Sequence, residues 1–374
     1  MSNQKGTSLG QLARRRFKKD SAAIFGSVVI LIAVTLAFLG PLITPDGSPH
    51  ANRQIIELAA KKPGSTFTFL KVPRTSVSKD DFLDILLLGK QEVYSWMPIY
   101  SHSFSNDTLI IERFTGDTPN DGETVKYAFS ALSSEGKTST EVEQELIEIR
   151  TFWLGTDRFG RDLLSRMVLG TRISLSIGFV AVGISLFIGI LLGSLAGFFR
   201  GWIDNVVMWF VTVVWSIPLL LLVIAITLAM GKGFWQVFVA VGLAMWVDVA
   251  RIVRGQILGI REKEYVEACR ALGYSGYRTI VKHILPNILG PVIVISAANF
   301  ASAILIEAGL SFLGIGAQPP IPSWGAMIKD HYGYIIMDKA YLALIPGAAI
   351  LLMVLAFTLV GNGLRDALDV KSVK

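Results

Sequence analysis

Long uncharged apolar segments constrain this chain more than any other feature. Residues Ala22 to Ile43 contain no charged side chain, and at about 1.5 Å per residue they are long enough to cross a hydrocarbon layer of about 30 Å. Five more segments of this kind follow: Ile173–Phe199, Val206–Met230, Phe234–Ile252, Asn287–Leu313 and Tyr341–Gly363. With 52% hydrophobic and only 17% charged residues, the sequence predicts an all-α integral membrane protein with six transmembrane helices.

Basic residues predict the orientation of these helices. A secretory signal peptide is the alternative for the N-terminus, but the first apolar run is too long and "GPLITPD" offers no small-x-small cleavage site. Clusters of lysine and arginine beside a first span normally stay in the cytoplasm. Alternation then places both termini in the cytoplasm, and the weakly charged "GKG" at 231–233 outside. The cytoplasmic positions include Lys5, Arg14, Arg15, Arg16, Lys18 and Lys19 before the first span, and Arg251, Arg254, Arg261, Lys263, Arg270, Arg278 and Lys282 between the fourth and fifth spans.

The segment 44–152 differs in character from the rest of the chain. It contains no apolar run long enough to span a membrane, and the alternation places it outside. "SVSKDDFLDILLLGK" predicts an amphipathic helix around Asp80–Leu88, while "TLIIERF" and "TVKYAFSAL" predict strands separated by the turn-forming "TGDTPNDGE". We therefore expect a small α+β extracytoplasmic insertion between a first part, 1–43, and a helical core, 153–374.

Residue patterns that carry out catalysis are missing from the sequence. There is no G-x-x-x-x-G-K-[ST] phosphate-binding loop and no G-x-S-x-G nucleophile motif. The four histidines lie far apart, and Cys269 is the only cysteine, so neither a thiolate metal site nor an internal disulfide is expected. The basic residues are divided among loops, which argues against nucleic-acid binding. We expect a non-enzymatic chain with no metal or cofactor of its own.

The stretch "EYVEACRALGYSGYRTIVKHILPN", Glu264 to Asn287, carries the most specific pattern between the apolar segments. Tyr265, either Ala268 or Cys269, and Leu272 fall on one face of a short helix. Gly273 can adopt the left-handed conformation that ends a helix, and Ser275 can cap a second one. The pattern predicts a helix-turn-helix on the membrane surface, and an ordinary amphipathic connector is the alternative.

This stretch resembles the EAA loop of ABC importer permeases. "EAC" at Glu267–Cys269, then Gly273, then "HILP" at His283–Pro286 has the spacing of that motif, with cysteine in place of its second alanine and His283 in place of an isoleucine. "WLGTDRFGRDLLSRMVLGTRISLSIG" (Trp153–Gly178) and "EAGLSFLGIGAQPPIPSWGAMI" (Glu307–Ile328) are similar to signatures of the C-type permease subunit of dipeptide, oligopeptide and nickel importers. The resemblance covers the first span and nearly all of the chain from Trp153.

The resemblance implies a type I ABC importer permease in the bacterial cytoplasmic membrane, forming half of a translocation pathway for peptides. It implies a nonidentical B-type permease, two cytoplasmic ATPases that bind ATP and magnesium, and an extracytoplasmic solute-binding protein as partners. A permease for nickel or another small solute, and an ion-coupled secondary transporter, are the alternatives. In the family, the loop corresponding to 253–286 docks on an ATPase; the residues expected to take part are Glu264, Tyr265, Glu267, Ala268, Cys269, Leu272 and Gly273.

Polar residues within or beside the spans complete the set of candidates. Asn299 and Glu307 are possible pathway residues, because polar groups at membrane depth usually face protein or a water-filled cavity. Interhelical hydrogen bonding is the alternative for Asn299, and pairing with a cation or water for Glu307. Pro218 predicts a kink in the third span, and Asp248 is expected to pair with Arg251 or Arg254.

Two further groups are expected to be structural, with direct substrate contact as the alternative for the first and a pathway-lining role as the alternative for the second. One is an ordinary surface ion-pair cluster before the second span, and the other is a small-residue stripe along that span that permits close helix packing. The members are Arg158, Arg161 and Asp162 in the first, and Ser185, Gly189, Gly193 and Gly197 in the second.

Overall fold

The computed structural model describes residues 9–74, 81, 84–86, 89–116, 118, 122–132, 136–231 and 233–368. The chain forms two compact units. The first, here called the helical unit, comprises Ile173–Gln318 with the chain up to Val34 and from Gly347 onward. The second, the sheet unit, comprises Thr35–Arg172 and Pro319–Pro346, and so gathers residues from both sides of the insertion predicted at 44–152.

Helices dominate the described chain. In order they are α1 (Leu9–Phe17), α2 (Ser21–Ile43), α3 (Ser139–Leu146), α4 (Leu163–Phe199), α5 (Gly201–Trp215), α6 (Leu219–Met230), α7 (Phe234–Ile260), α8 (Glu264–Ala271), α9 (Gly276–Thr279), α10 (Leu285–Phe312), α11 (Trp324–His331) and α12 (Tyr341–Leu368). Five helical stretches are long and apolar enough to cross a membrane, namely α2, α4, α7, Gly276–Phe312 and α12.

The third predicted span is divided in two. Helices α5 and α6 meet at 93°, and the membrane spans number six if this bent pair counts as one. The break lies where the sequence predicts a kink, because Pro218 precedes the first residue of α6 and has no N–H to continue the hydrogen bonds of α5. The kink prediction is confirmed, and the bend is large enough for the pair to be a broken span or a re-entrant loop.

Close contact between α4 and α7 organises the core of the helical unit. A β-carbon added to Gly193 would lie 2.5 Å from the carbonyl oxygen of Ala250, and one added to Gly189 would lie 2.5 Å from Cβ of Val249. Ser185 on the same stripe is buried. The stripe therefore packs against α7, which confirms its predicted structural role.

An antiparallel sheet forms the centre of the sheet unit. Its strands are β1 (Ser65–Pro73), β2 (Tyr94–Ser105), β3 (Thr108–Arg113), β4 (Thr124–Ala128) and β5 (Ile147–Phe152), in the order β4-β3-β2-β1-β5. The two predicted strands are β3 and the first part of "TVKYAFSAL", which confirms the α+β insertion. Sequence inspection missed β1, β2, β5 and α3. The helix predicted around Asp80–Leu88 falls largely outside the described residues.

Two of the three charged residues before α4, Arg161 and Asp162, are buried, so their prediction as part of a surface cluster is wrong. Asp157 accepts hydrogen bonds from the backbone N–H of Arg161 at 3.0 Å and from its Nε at 2.5 Å, and both side chains are enclosed. Arg158 is the exposed member and pairs with Asp330 at 3.1 Å. The sequence does not reveal this burial because contacts of the cluster reach distant parts of the chain: Arg161 donates to Asn52 at 3.1 Å, and Arg158 pairs with Asp330. The cluster's role as a structural element of the sheet unit stands.

Candidate coupling site

Helix α8 is short and ends in a complete C-terminal cap. The N–H of Gly273 donates to the carbonyl of Arg270 at 2.9 Å, and the N–H of Tyr274 donates to that of Cys269 at 3.0 Å. These two bonds form a Schellman motif, in which the residue after the C-cap, here Gly273, must have a positive φ. Gly273 has φ +74°, so the predicted helix end is confirmed.

Opposite faces of α8 have different surroundings. Tyr265, Ala268 and Leu272 are exposed, with 71% of Leu272 accessible to solvent. Val266 and Cys269 on the opposite face are buried. The sequence allowed either Ala268 or Cys269 on the outer face; the structure selects Ala268. Cys269 is therefore a packing residue of this conformation and is not part of the exposed surface of α8.

The buried face of α8 rests on the ends of three membrane helices. Val266 belongs to an apolar cluster that includes Phe198 of α4, Val253 and Ile257 of α7 and Ile288 of α10. All of these side chains are buried. The buried face of α8 is therefore part of the same close-packed apolar core as the ends of these helices.

Charged side chains fasten the surrounding turns. Arg261 donates to the carbonyl oxygen of Phe198 at 2.5 Å, and Arg200 pairs with Glu262 at 2.6 Å. The hydrogen bond from Arg200 is the main reason why the pKa of Glu262 lies below its ordinary value. These contacts tie the end of α7 to the turn between α4 and α5.

The pairing predicted for Asp248 is wrong. Arg254 instead makes two hydrogen bonds to Asp204 of α5, at 2.6 and 2.7 Å, and Arg251 lies 4.5 Å from the ring centroid of Trp215. Asp248 is exposed on α7. A planar guanidinium matches a carboxylate bidentately, so the partner across the helix pair outcompetes the neighbour on the same helix.

The chain continues from α8 through a tight turn into α10. The hydroxyl of Ser275 accepts from the N–H of Arg278 at 3.3 Å and caps α9, as predicted. A π-helical turn, Ile280–Ile284, follows, and α10 begins with Pro286 in its first turn. Tyr277 in α9 is 77% exposed, and Tyr265 and Leu272 are exposed as well. We call these three side chains the apolar knob.

Asn299 and Glu307 are enclosed within the helical unit. Both side chains are buried. Glu307 accepts a hydrogen bond from Ser311 Oγ at 2.6 Å, and Ser311 Oγ accepts from the N–H of Ala317 at 3.2 Å. Asn299 Nδ2 makes no hydrogen bond within the described chain. Glu307 thus holds the end of α10 in this conformation, and a pathway role for either residue stays a prediction.

A groove between α10 and α12 was missed by sequence inspection. It encloses about 300 Å³, and the polar side chains of Ser302, Thr358 and Asn362 line it and are exposed. Three polar groups on one outer face of membrane helices are unfavourable against lipid. The signal in the sequence was weak because these residues lie on two helices some 60 positions apart. Among the described residues, no three His, Cys, Asp or Glu side chains come together as a metal site would require.

The helical unit thus combines membrane-length helices with a short exposed helix that packs against the ends of three of them. Comparison with known sequences identifies the class of this protein. The family described as the binding-protein-dependent transport system inner membrane component matches residues 189–373. A second family, the N-terminal transmembrane domain of oligopeptide transport permease C, matches residues 8–60. Most of the sheet unit lies between the two matches.

Curated relatives give the same assignment. The chain is 42% identical to the glutathione transport system permease protein GsiD of Pectobacterium atrosepticum, over 59% of this chain and 72% of the relative. It is 41% identical to the dipeptide permease DppC of Bacillus subtilis, over 61% of this chain and 72% of the relative. It is 40% identical to the oligopeptide permease OppC of Haemophilus influenzae, over 59% of this chain and 70% of the relative. The chain therefore belongs to the C-type permeases of the binding-protein-dependent transport systems, multi-pass proteins of the inner membrane.

Solved structures resemble it more distantly. A chain of the MetNI methionine ABC transporter in an inward-facing conformation is 20% identical, covers 55% of this chain and 97% of its own length, and has a TM-score of 0.46.

Proposed function

We propose that this chain is one of two nonidentical permease subunits of an ATP-driven importer that moves short peptides across the bacterial cytoplasmic membrane. Its relatives are named for glutathione, dipeptide and oligopeptide transport. The shared chemistry of these substrates is that of a short peptide, which favours peptides over nickel. A solute-binding protein delivers the peptide outside, and both termini of the chain face the cytoplasm.

The apolar knob carries the proposal. Tyr265, Leu272 and Tyr277 expose large apolar surface beside a helix whose other face is seated on α4, α7 and α10. Exposed apolar patches of this kind mark protein contacts. Two partner ATPases bind ATP and magnesium, and one of them receives α8 through Tyr265, Ala268 and Leu272, with Glu264 and Glu267 at the rim.

Transport then follows from two packings of the same helices. Closure of the ATPases on ATP displaces α8. The apolar cluster around Val266 passes this displacement to the three membrane helices α4, α7 and α10. The groove with Ser302, Thr358 and Asn362 faces the second permease or the peptide pathway. Asn299 and Glu307 join the pathway only when α10 moves, since both are enclosed in the present packing.

Thiol labelling tests the docking surface. The natural chain has one cysteine, Cys269, which is buried, so it should react slowly with a membrane-impermeant maleimide. An Ala268→Cys, Cys269→Ser variant carries its thiol on the exposed face instead. It should react rapidly in inside-out vesicles stripped of ATPases and should not react in right-side-out vesicles.

Rebinding the ATPases should protect the thiol at position 268. Rapid labelling from the external side would refute the topology. Labelling that the ATPases do not slow would refute docking at α8. Peptide uptake by the reconstituted complex should need ATP; uptake driven by an ion gradient without ATP would establish the secondary transporter instead.

A further inference from the structure

The sheet unit contains a pocket of about 350 Å³ that the shared permease function does not use. It lies beside strand β5 and is lined by residues from Pro45 to Asp162. Ligand pockets range from about 300 to 1,000 Å³, so this one has room for a ligand of about two amino-acid residues. Three apolar lining side chains, Ile55, Phe69 and Phe152, are themselves buried.

Two arginines are fixed in the wall of this pocket by one tryptophan. The guanidinium carbons of Arg53 and Arg150 lie 4.5 and 3.8 Å from the ring centroid of Trp96. Arg150 also donates to Glu148 at 2.8 Å and to the carbonyl oxygen of Pro45 at 3.1 Å. Cation–π contact and hydrogen bonds together hold the positive charges in place before any ligand arrives.

Carboxylates provide the opposite charge. Asp46 and Asp162 line the same pocket and both are buried. Burial is the main reason why the pKa of Asp162 is raised, and the negative charge of Asp46 raises it further. With Glu148, three carboxylates and two guanidiniums line the pocket. Arg53 already pairs with Asp46 at 3.5 Å, and the backbone N–H and hydroxyl of Ser165 donate to Asp162. A ligand ammonium would add to these contacts and relieve the remaining repulsion between the two carboxylates.

Exposed apolar side chains stand at the pocket as well. Ile149 and Trp153 line it and are 70% and 66% exposed. An apolar ligand side chain resting on them would remove this surface from water, which favours binding.

From this arrangement we propose that the pocket binds a short peptide with free termini, the ammonium group facing Asp46 and Asp162 and the carboxylate facing Arg150. The ligand's apolar side chain lies against Ile149 and Trp153. The inference rests on the proposed function for its topology, which places the sheet unit where peptides arrive. The site is separate from the helical unit, so it would hold peptide in addition to the translocation pathway.

Capped dipeptides test the charges. Isothermal titration uses the complete permease–ATPase complex in nanodiscs, without the solute-binding protein, and three probes: Ala-Phe, N-acetyl-Ala-Phe and Ala-Phe amide. Ala-Phe should bind, and each cap should weaken binding at least tenfold. Absence of Ala-Phe binding up to about 10 mM, or equal affinity for all three probes, would overturn the proposal.

Variants locate the binding. Trp153→Ala should weaken Ala-Phe binding about fivefold, whereas Ile56→Ala, an equally exposed apolar side chain that does not line the pocket, should not. Arg150→Gln should abolish the preference for Ala-Phe over its amide while the preference over the N-acetyl form persists. Equal effects of Trp153→Ala and Ile56→Ala, or loss of both preferences in Arg150→Gln, would refute this site.

ATP-dependent uptake is measured on the same complex reconstituted in proteoliposomes, with the solute-binding protein added outside. Uptake that remains while the dipeptide fails to bind would overturn the pocket alone. Loss of uptake by the natural complex would instead count against the proposed transport function.

Discussion

Gly273 fixes the end of α8 through its backbone conformation. Nothing lies within 4 Å of the place where its β-carbon would stand, but its φ of +74° is unfavourable for other residues. Gly273→Val should therefore cost about 1 to 3 kcal/mol of local stability at the helix end. We expect ATP-dependent uptake and ATPase retention to fall several-fold while membrane insertion persists.

Gly259→Val provides the matched control for Gly273. Gly259 lies in α7, has open space around it and does not have a positive φ. Its uptake should stay near that of the natural protein. Unchanged uptake in Gly273→Val would show that the shape of this helix end is irrelevant to coupling.

His331 makes the stability of the sheet unit depend on pH. Its ring accepts a hydrogen bond from the N–H of Arg158 at Nε2 (3.3 Å) and donates from Nδ1 to the carbonyl of Met327 (2.7 Å). Burial holds the pKa of His331 below 6.5, although Asp157 and Asp330 lie near. The unfolded chain then binds the proton more readily, so stabilisation is full above pH 6.5 and is lost as the pH falls.

Thermal unfolding in detergent should show this dependence. The midpoint temperature of unfolding should decrease as the pH is lowered from 7.5 to about 5.5. This decrease should be smaller in His331→Gln. His102→Gln, which alters a partly exposed histidine of β2, should keep the dependence of the natural protein. An identical fall in His331→Gln would assign the effect to other groups.

At the scale of elements, α4 and α7 approach closely because glycines replace side chains along their contact. Gly193→Leu would place its β-carbon 2.5 Å from the carbonyl oxygen of Ala250, where the backbone cannot move aside cheaply. Overpacking of this kind costs about 1–3 kcal/mol or more. We expect less monodisperse protein in size-exclusion chromatography and a lower unfolding midpoint.

Gly183→Leu tests the same chemical change on the other side of α4. Nothing lies within 4 Å of its added β-carbon, and the position is exposed. Yield and unfolding midpoint should remain near those of the natural protein. If Gly183→Leu and Gly193→Leu lowered yield and unfolding midpoint equally, the larger side chain itself, and not its contact with α7, would explain the destabilisation.

At the scale of the whole molecule, the chain should work only as part of an assembly. Large apolar side chains at the apolar knob and polar ones in the α10–α12 groove remain uncovered in the single chain. Purification from native membranes in mild detergent should recover a second, nonidentical permease and two ATPases. A homodimer that transports peptide by itself would refute this composition.

The sequence by itself determined the membrane class, the position of the long helices and the local turns of the coupling loop. Apolar runs reveal spans because every residue of a run contributes to the same signal. Gly273, Ser275 and Pro218 act through their own backbone or the next few residues, so their effects were readable without the fold. The small-residue stripe of α4 was also readable from the sequence, because its four-residue spacing places its members on one face of a single helix.

Tertiary structure decided which of these residues face inward. Helical spacing allowed either Ala268 or Cys269 on the same face of α8 as Tyr265 and Leu272. Only the packing of α8 against the apolar cluster of α4, α7 and α10 shows that the cysteine is buried. Likewise, Arg254 pairs with Asp204, fifty positions away, in preference to Asp248. The buried network of Asp157, the α10–α12 groove and the pocket around Trp96 also join distant segments. Such contacts depend on how elements pack, and packing partners are not encoded in the periodicity of any single segment.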